Sequence, residues 1–503
     1  MKKLINSTNS EFYTKLICSL LMAYFFAYWL YQAIELFRYP IPTEYRDWGV
    51  IDLSNKIYGN KSPYSFTEGP PFMFVYGALF SILMGAFSVF LGVTGLTTTK
   101  IFVIACVLGS ASIIAYEIFH MTRSRFYAGL GFCCMLWANF NSGVFFILRP
   151  DALGLLLCLL SLVVIRRATT PIHLLACSLF IVLTFYTKQY FIFVAAPITF
   201  YLAISRGYLF ALAFILTLLL FFSLSFFLVF NLWPAYFYQS ILAQFNSVGG
   251  PWSYSAFQGL KFAFTYWPFL AFTTYYVVDL IKKRVPISAS ENLYLYVFLI
   301  SMLCLVPMGR NAGAFLSYHY QLALPALTVI ALHSLKRFES HVIRMVSIWV
   351  VVSLCIFHGE FLKFNSIYSA EALRQWEMAE SIVEKEHGNI LVATPILSQF
   401  KGDFTRLDNG HSECYTALVS RPYPILDWIY PRRADYFTEY KHFYSEIVDK
   451  IEAQQYQLIV VTSGYHPMIA QSVLEKNYQM VRQIELQTGV QIWKTEFWTI
   501  KNL

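Results

Sequence analysis

From Leu16 to Phe361 the chain is a succession of apolar runs, most of them near the roughly 20 residues that cross a bilayer as a helix. No other feature limits the fold so strongly. In hydrocarbon each backbone N–H and C=O must be satisfied within the protein, and a helix does this inside its own segment. Composition agrees: 57% of residues are hydrophobic and 13% charged, against about 25% charged in soluble domains. The sequence therefore predicts a mainly α, polytopic membrane protein.

Charges order the runs. The N-terminus carries Lys2, Lys3 and Lys15 before an apolar run that is too long for a signal peptide, with no small-residue cleavage site after it. It reads as an uncleaved signal anchor with the N-terminus inside. Further spans are expected at about 98–119, 126–144, 151–165, 171–187, 190–205, 208–232, 262–281, 292–309, 318–335 and 342–360. With the first at about 17–37, this makes about 11 transmembrane helices, N-in and C-out. The run at about 70–92 is expected to lie in the interface as a juxtamembrane helix. If it spanned, Arg123 and Arg125 would fall outside and every later loop would invert. If it does not, 14 of the 23 Lys and Arg residues up to residue 361 become cytoplasmic. The membrane's preference for inside lysine and arginine accounts for this excess, so it is no sign of nucleic acid.

Beyond residue 361 the pattern changes. "AEALRQWEMAESIVEKEHG" has helical periodicity, "NILVATP" and "QLIVVTS" read as buried strands, and "VRQIEL" and "VQIWKT" as closing strands. "YSEIVDKIEAQQ" and "PMIAQSVLEKN" are expected helices. Residues 362–503 thus read as a small extracytoplasmic α/β domain after a membrane domain of residues 1–361. Of nine cysteines only Cys414 lies in this polar tail, so it holds no internal disulfide, and the others read as small apolar residues.

The outer face gathers charges that need a reason. Arg149 and Asp151 in "FFILRPDALGLLL" are the only charged residues from Phe126 to Ile165. Lys188 in "FYTKQYFIF" and Arg310 in "LVPMGRNAGAF" also press against apolar sequence. A charge there costs several kcal/mol unless paired or hydrated. Pairing of Arg149 with Asp151, snorkelling of Lys188 and a plain loop end at Arg310 are the bland readings. Three cations on one face point instead to an anionic ligand at the outer boundary. Acids on that face are Glu44, Asp47, Asp52, Glu68 and Asp151. Asp47 and Asp52, five residues apart in a short expected helix, do not share a face and are not a tight pair. Tyr318 and His319 open a late span, where an interfacial histidine is the plainer reading. Residues 233–261 form an outer loop rich in aromatic residues and glycine, either an aromatic belt or a loop over a site.

Four stretches resemble the GT-C superfamily of membrane glycosyltransferases: "YRDWGVIDLSNKIYGNKSPY" after the first span, "EGPPFMFVYGALFSILMG", "LRPDALGLLL" with "YTKQYF", and "GRNAGAFLSYHYQLALPAL". The likeness is to protein mannosyltransferases, aminoarabinose transferases and Rgt-type enzymes. The resemblance implies a sugar transferred, with inversion, from a polyprenyl-phosphate donor to a glycan, lipid or protein acceptor of the cell envelope, on the extracytoplasmic face of the cell (plasma or inner) membrane. It implies that the acid of the first outer loop (residues 38–97) acts on the acceptor. Asp47 matches that position, with Glu44 and Asp52 as alternates. Arg149, Lys188 and Arg310 are then candidates for the donor phosphate, with Asp151, Gln189, Glu68, Tyr318 and His319 in support. One departure stands out: Gly69 occupies the place, before the Pro-Pro pair, where aminoarabinose transferases carry lysine. No ligand spacing in the outer segments supports a metal and no cofactor is firmly implied, although some relatives use a divalent metal. The rival readings are a lipid-linked sugar flippase or transporter, an envelope glycan polymerase or ligase of another fold, and a structural scaffold. A transporter would be expected to carry its charges at mid-depth on broken helices.

Overall fold

The computed structural model describes residues 2–38, 47–64, 76–93, 95–141, 148–233, 235–242, 251–283, 292–306, 310, 315–357, 369–393, 404–406, 433–462, 469, 471–487 and 492–501. Helices dominate. They are α1 (Lys2–Arg38), α2 (Asp47–Tyr58), α3 (Leu79–Leu91), α4 (Leu96–Thr122), α5 (Arg125–Asn141), α6 (Asp151–Arg166) and α7 (Pro171–Thr187). A 3-10 turn, Gln189–Val194, leads into α8 (Ala195–Ser205), then α9 (Tyr208–Leu232) and a π turn, Phe237–Leu242. The bundle continues with α10 (Trp252–Thr265), α11 (Trp267–Lys283), α12 (Leu293–Leu305), α13 (Phe315–Arg337) and α14 (His341–Phe357).

Each expected span meets a helix. Three segments, Glu11–Arg38, Leu96–Thr122 and Tyr208–Leu232, are long and apolar enough to cross a membrane on those grounds alone, and five shorter apolar helices accompany them. The protein is thus a polytopic membrane protein. The expected span at 262–281 is α11, and the helix before it, α10, stands largely where residues 233–261 were expected to form an outer loop. Pro268 sits in the first turn of α11, where its missing N–H costs nothing, and the chain breaks at Tyr266 just before it.

Polar contacts sort helix ends into two levels. At one end, Glu11 of α1 lies 2.5 Å from Lys15 and 3.3 Å from His341 at the start of α14. Arg166, in the last turn of α6, meets Glu117 of α4: Nη2 donates to Oε1 at 2.9 Å and Nε lies 2.6 Å from Oε2. Asp279 of α11 holds Lys283 at 2.8 Å and stands 3.9 Å from Arg337 of α13. Lys336 donates to the carbonyl of Thr122. This is the basic end, and it contains many of the cations that sequence places inside.

At the opposite end Lys100, buried at the start of α4, donates to the carbonyl of Leu36 at 2.8 Å, in the last turn of α1. A cation there complements the negative pole of α1. Ser255 of α10 donates to the carbonyl of Val306 after α12. Helix α3 begins beside Tyr186 near the end of α7, where an added Cβ on Gly77 would meet the Tyr186 carbonyl, and just after its end the Val93 carbonyl accepts from Thr98 Oγ1 in the first turn of α4 at 2.6 Å. Both ends of α3 therefore lie at this level. Its 13 residues, about 20 Å, run across the bundle end and do not traverse it.

The C-terminal part has α15 (Ala370–Lys385), β1 (Ile390–Ala393), β2 (Phe404–Arg406), α16 (Arg433–Glu452), β3 (Leu458–Thr462), α17 (Gln471–Asn477), β4 (Tyr478–Gln487) and β5 (Ile492–Ile500). The sheet order is β2-β1-β3-β5-β4, with β2, β1 and β3 parallel and β5 and β4 antiparallel additions. β1 and β3 are buried along their whole length, which explains their unbroken apolar runs. Trp376, Ala379 and Val383 of α15 pack in one core with Ile390, Val392, Leu458, Val460 and Phe497. Ser369 caps α15, accepting from the Ala372 N–H at 3.0 Å. Strand β2 is the one element here that sequence did not anticipate. Three residues, Phe-Thr-Arg, carry no readable alternation.

Replacing Arg166 by methionine is expected to leave the Glu117 carboxylate buried without its cation, lowering stability by about 3–5 kcal/mol. Arg166→Met with Glu117→Gln should recover most of that loss, read as thermal unfolding in detergent. In α15 the Glu380 carboxyl is held above its usual range by partial burial and by the carboxylates of Glu384 and Glu377. The folded state thus binds this proton more tightly than the unfolded one. Its contribution is favourable below the unfolded value and falls as pH rises toward the raised one. Glu380→Gln is expected to remove that fall, measured as slower hydrogen exchange of α15 amides at pH 7 relative to the parent.

Candidate active site

At the end opposite the basic one, the first turn of α6 meets the end of α7. Asp151 is the first residue of α6, after Pro150, and an acid suits the positive pole of a helix. Lys188 follows the last residue of α7 in extended backbone, and a cation suits the negative pole. The two helices are joined by a short turn, so their far ends come together. Lys188 Nζ donates to Asp151 Oδ1 at 2.5 Å, and the two side chains are 3% and 2% exposed. Tyr190 OH donates to the same oxygen at 3.4 Å. The ammonium faces two rings, 4.9 Å from the centroid of Tyr76 and 5.4 Å from that of Tyr190. Such faces attract a desolvated cation.

Two glycines make room for this arrangement. A Cβ on Gly77, next to Tyr76, would lie 1.7 Å from the carbonyl oxygen of Tyr186. A Cβ on Gly154, one turn into α6, would lie 2.4 Å from the ring of Phe191, which stacks on Tyr190 with centroids 4.4 Å apart. The glycine of "RPDALG" therefore lets the 3-10 turn after Lys188 lie against α6.

A second layer surrounds the pair. Gln189 Nε2 donates to the carbonyl of Ser240 at 2.9 Å, and Ser240 Oγ donates to the carbonyl of Tyr76 at 2.9 Å. Tyr64 OH reaches the Tyr76 carbonyl at 3.4 Å. The buried ring of Tyr236 packs against Tyr64 and Tyr186, with centroids 5.4 and 5.9 Å away.

The structure brings together Asp151, Lys188 and Gln189 from the sequence candidates. Arg149, partly buried, precedes Pro150 at the same helix mouth. Asp151 has Lys188 as an ion partner, a pairing the sequence reading did not make. Arg310 belongs to the same end of the bundle, with its guanidinium 4.7 Å over the ring of Trp252 at the start of α10. Asp47 is the first residue of α2, which is the short helix expected there. That helix is tied to the start of α3 by Ser81 Oγ donating to the Val50 carbonyl at 3.1 Å and by Tyr58 OH donating to the Ile82 carbonyl at 2.8 Å. Asp52 is buried within α2. Glu44 and Glu68 lie outside the described residues, as do the side chains of Asp47, Tyr318 and His319, although Tyr318 and His319 stand in the first turns of α13. Among the described residues no three His, Cys, Asp or Glu side chains gather to hold a metal. Tyr76, Tyr190, Tyr64 and Ser240 escaped sequence reasoning. Tyrosine is so common here, at 35 residues, that no single one stands out.

The chain is thus a helical bundle with a buried ion pair at one end and an α/β domain after the last helix of the bundle. No protein-family profile matches the sequence, and no curated protein matches it. Among solved structures the chain is similar to ArnT from Cupriavidus metallidurans, in the apo state at TM-score 0.59 and bound to undecaprenyl phosphate at 0.58. Each match covers 95% of this chain and 97% of the other, at 10% identity. A further match, at TM-score 0.49 and 9% identity over 93% of this chain and 72% of the other, is the archaeal oligosaccharyltransferase AglB from Archaeoglobus fulgidus. At 10% identity the likeness to ArnT is one of fold.

Gly77→Ala sets a Cβ against backbone and is expected to cost about 3 kcal/mol or more, whereas Gly154→Ala meets a ring that can shift and is expected to cost about 1–2 kcal/mol. Thermal unfolding of the two variants checks the order.

Proposed function

We propose that the chain is an integral-membrane inverting glycosyltransferase that moves a sugar from a polyprenyl-phosphate donor to a cell-envelope acceptor on the extracytoplasmic face. One observation carries the reading: a buried lysine, held by an aspartate and two tyrosine rings, at the helix mouth of a fold shared with ArnT, whose structure holds undecaprenyl phosphate. In this reading the basic end faces the cytoplasm, about eleven helices of residues 1–361 cross the membrane, α3 lies in the interface, and residues 362–503 form an outer domain. The donor tail lies among the helices and its phosphate at the outer rim.

Lysine offers three N–H donors. Asp151 holds the ammonium in place at 2.5 Å, and the ammonium charge is suited to a phosphate oxygen. Arg149 adds a planar fork suited to phosphate, and Arg310 a further cation at that rim. Asp47 accepts the proton of the acceptor hydroxyl as general base. The acceptor oxygen then bonds to the anomeric carbon from the face opposite the phosphate. The bond from that carbon to the phosphate oxygen breaks, and polyprenyl phosphate leaves with its electron pair. Phosphate leaves readily, so cations that stabilise its charge matter more than an acid that protonates it. The anomeric configuration inverts.

The test is a transfer assay on purified protein with a panel of polyprenyl-phosphate sugars. Asp47→Asn is expected to cut turnover by about 10²–10⁴ while unfolding as the parent does. Full activity in that variant removes Asp47 as base. Translocation of lipid without cleavage of any donor replaces the transferase reading by a flippase.

A further inference from the structure

We infer that Ser240 is a positioning residue of the donor-phosphate site, acting on Lys188 through Tyr76. The inference rests on the phosphate role proposed for Lys188.

Ser240 lies in the π turn after α9, inside the aromatic loop, and is fully buried. It is bonded on two sides. Its hydroxyl donates to the backbone carbonyl of Tyr76, and its own carbonyl accepts from the Gln189 side chain, both at 2.9 Å. Both adjoin Lys188: Tyr76 by its ring, Gln189 along the chain. Tyr76 stands before α3 in backbone that belongs to no helix or strand, so no ladder orients it. A buried carbonyl in such a segment needs a donor from elsewhere. Ser240 supplies it at 2.9 Å, and Tyr64 OH is more distant at 3.4 Å.

The turn that carries Ser240 is itself gripped. Tyr236, four residues before, wedges its ring between Tyr64 and Tyr186. Gly77, adjoining Tyr76, is pressed on the Tyr186 carbonyl. Ser240 thus joins a fixed turn to a segment with little regular support. The tilt of the Tyr76 ring decides whether an aromatic face meets the ammonium. Without that face Lys188 is drawn wholly toward Asp151 and offers less to a ligand. The ligand class is a phosphate ester at the head of a polyprenyl lipid, as in the proposed function: a cation stands at the end of a bundle whose helices are apolar.

The experiment uses the full chain in nanodiscs, with undecaprenyl phosphate and undecaprenol as probes. Ser240→Ala is expected to weaken undecaprenyl phosphate binding about five- to ten-fold, the scale of one hydrogen bond. Undecaprenol binding should be unchanged. With a sugar donor, KM should rise by the same factor and kcat stay within about two-fold. In a Tyr76→Leu background Ser240→Ala should have no further effect, since its route through the ring is gone. Gln189→Leu, which removes the donor to the Ser240 carbonyl, should act in the same direction and serves if Ser240→Ala accumulates poorly. Unchanged phosphate-lipid binding in Ser240→Ala, equal loss for undecaprenol, or full additivity with Tyr76→Leu overturns the inference while leaving the transferase reading intact. A parent protein that does not distinguish undecaprenyl phosphate from undecaprenol overturns the phosphate site itself, and Ser240's role with it.

Discussion

The ion pair of Asp151 and Lys188 organises the end of the bundle where the candidate site lies. Two charges removed from water gain stability only when geometry and further dipoles offset their desolvation. Here each charge stands at the helix pole that suits it, aspartate at the start of α6 and lysine after the end of α7. Two tyrosine rings complete the lysine's surroundings. Such a pair is costly to break and hence defines geometry well. It locks α6 against α7, and it orients the turn that follows Lys188. That turn can approach α6 only because residue 154 is glycine, and the segment bearing Tyr76 can approach α7 only because residue 77 is glycine.

The opposite end uses the same physics for another purpose. Glu117 with Arg166, Glu11 with His341 and Arg344, and Asp279 with Arg337 join one helix end to another. The cations named there serve helix-to-helix contacts. The two rims therefore differ in kind: one is a set of clasps, and the other holds a cation between aromatic faces. Between them α9 exposes an almost wholly apolar surface, as expected of a helix that meets lipid.

Much of the fold could be read from residues alone because hydrocarbon permits so few structures. Apolar run length marked most helices of the membrane part, and the charge balance argued for an interfacial helix at about 70–92. The buried strands β1 and β3 were readable as short β-branched runs, while β2 was too short to carry a pattern. Helix α10 was missed because its polar and aromatic residues, "WSYSAFQGLKFAFT", do not form an apolar run. At the site, Arg149, Asp151 and Lys188 were readable because each charge is expensive in its setting. Their partnership was not.

Sequence by itself determined that this is a polytopic membrane protein with an α/β tail, which segments are helical, and which charges demand an explanation. These follow from local quantities: run length, periodicity and the cost of a charge in apolar surroundings. Only the tertiary structure decided that Asp151 meets Lys188, 37 residues away, as well as having Arg149 for a close chain neighbour, and that Tyr76, Tyr190 and Ser240 surround the lysine. Those contacts depend on two antiparallel helices ending at one level and on close backbone approach at two glycines. Both are properties of packing between segments, and a linear pattern of residue types does not encode which segments touch.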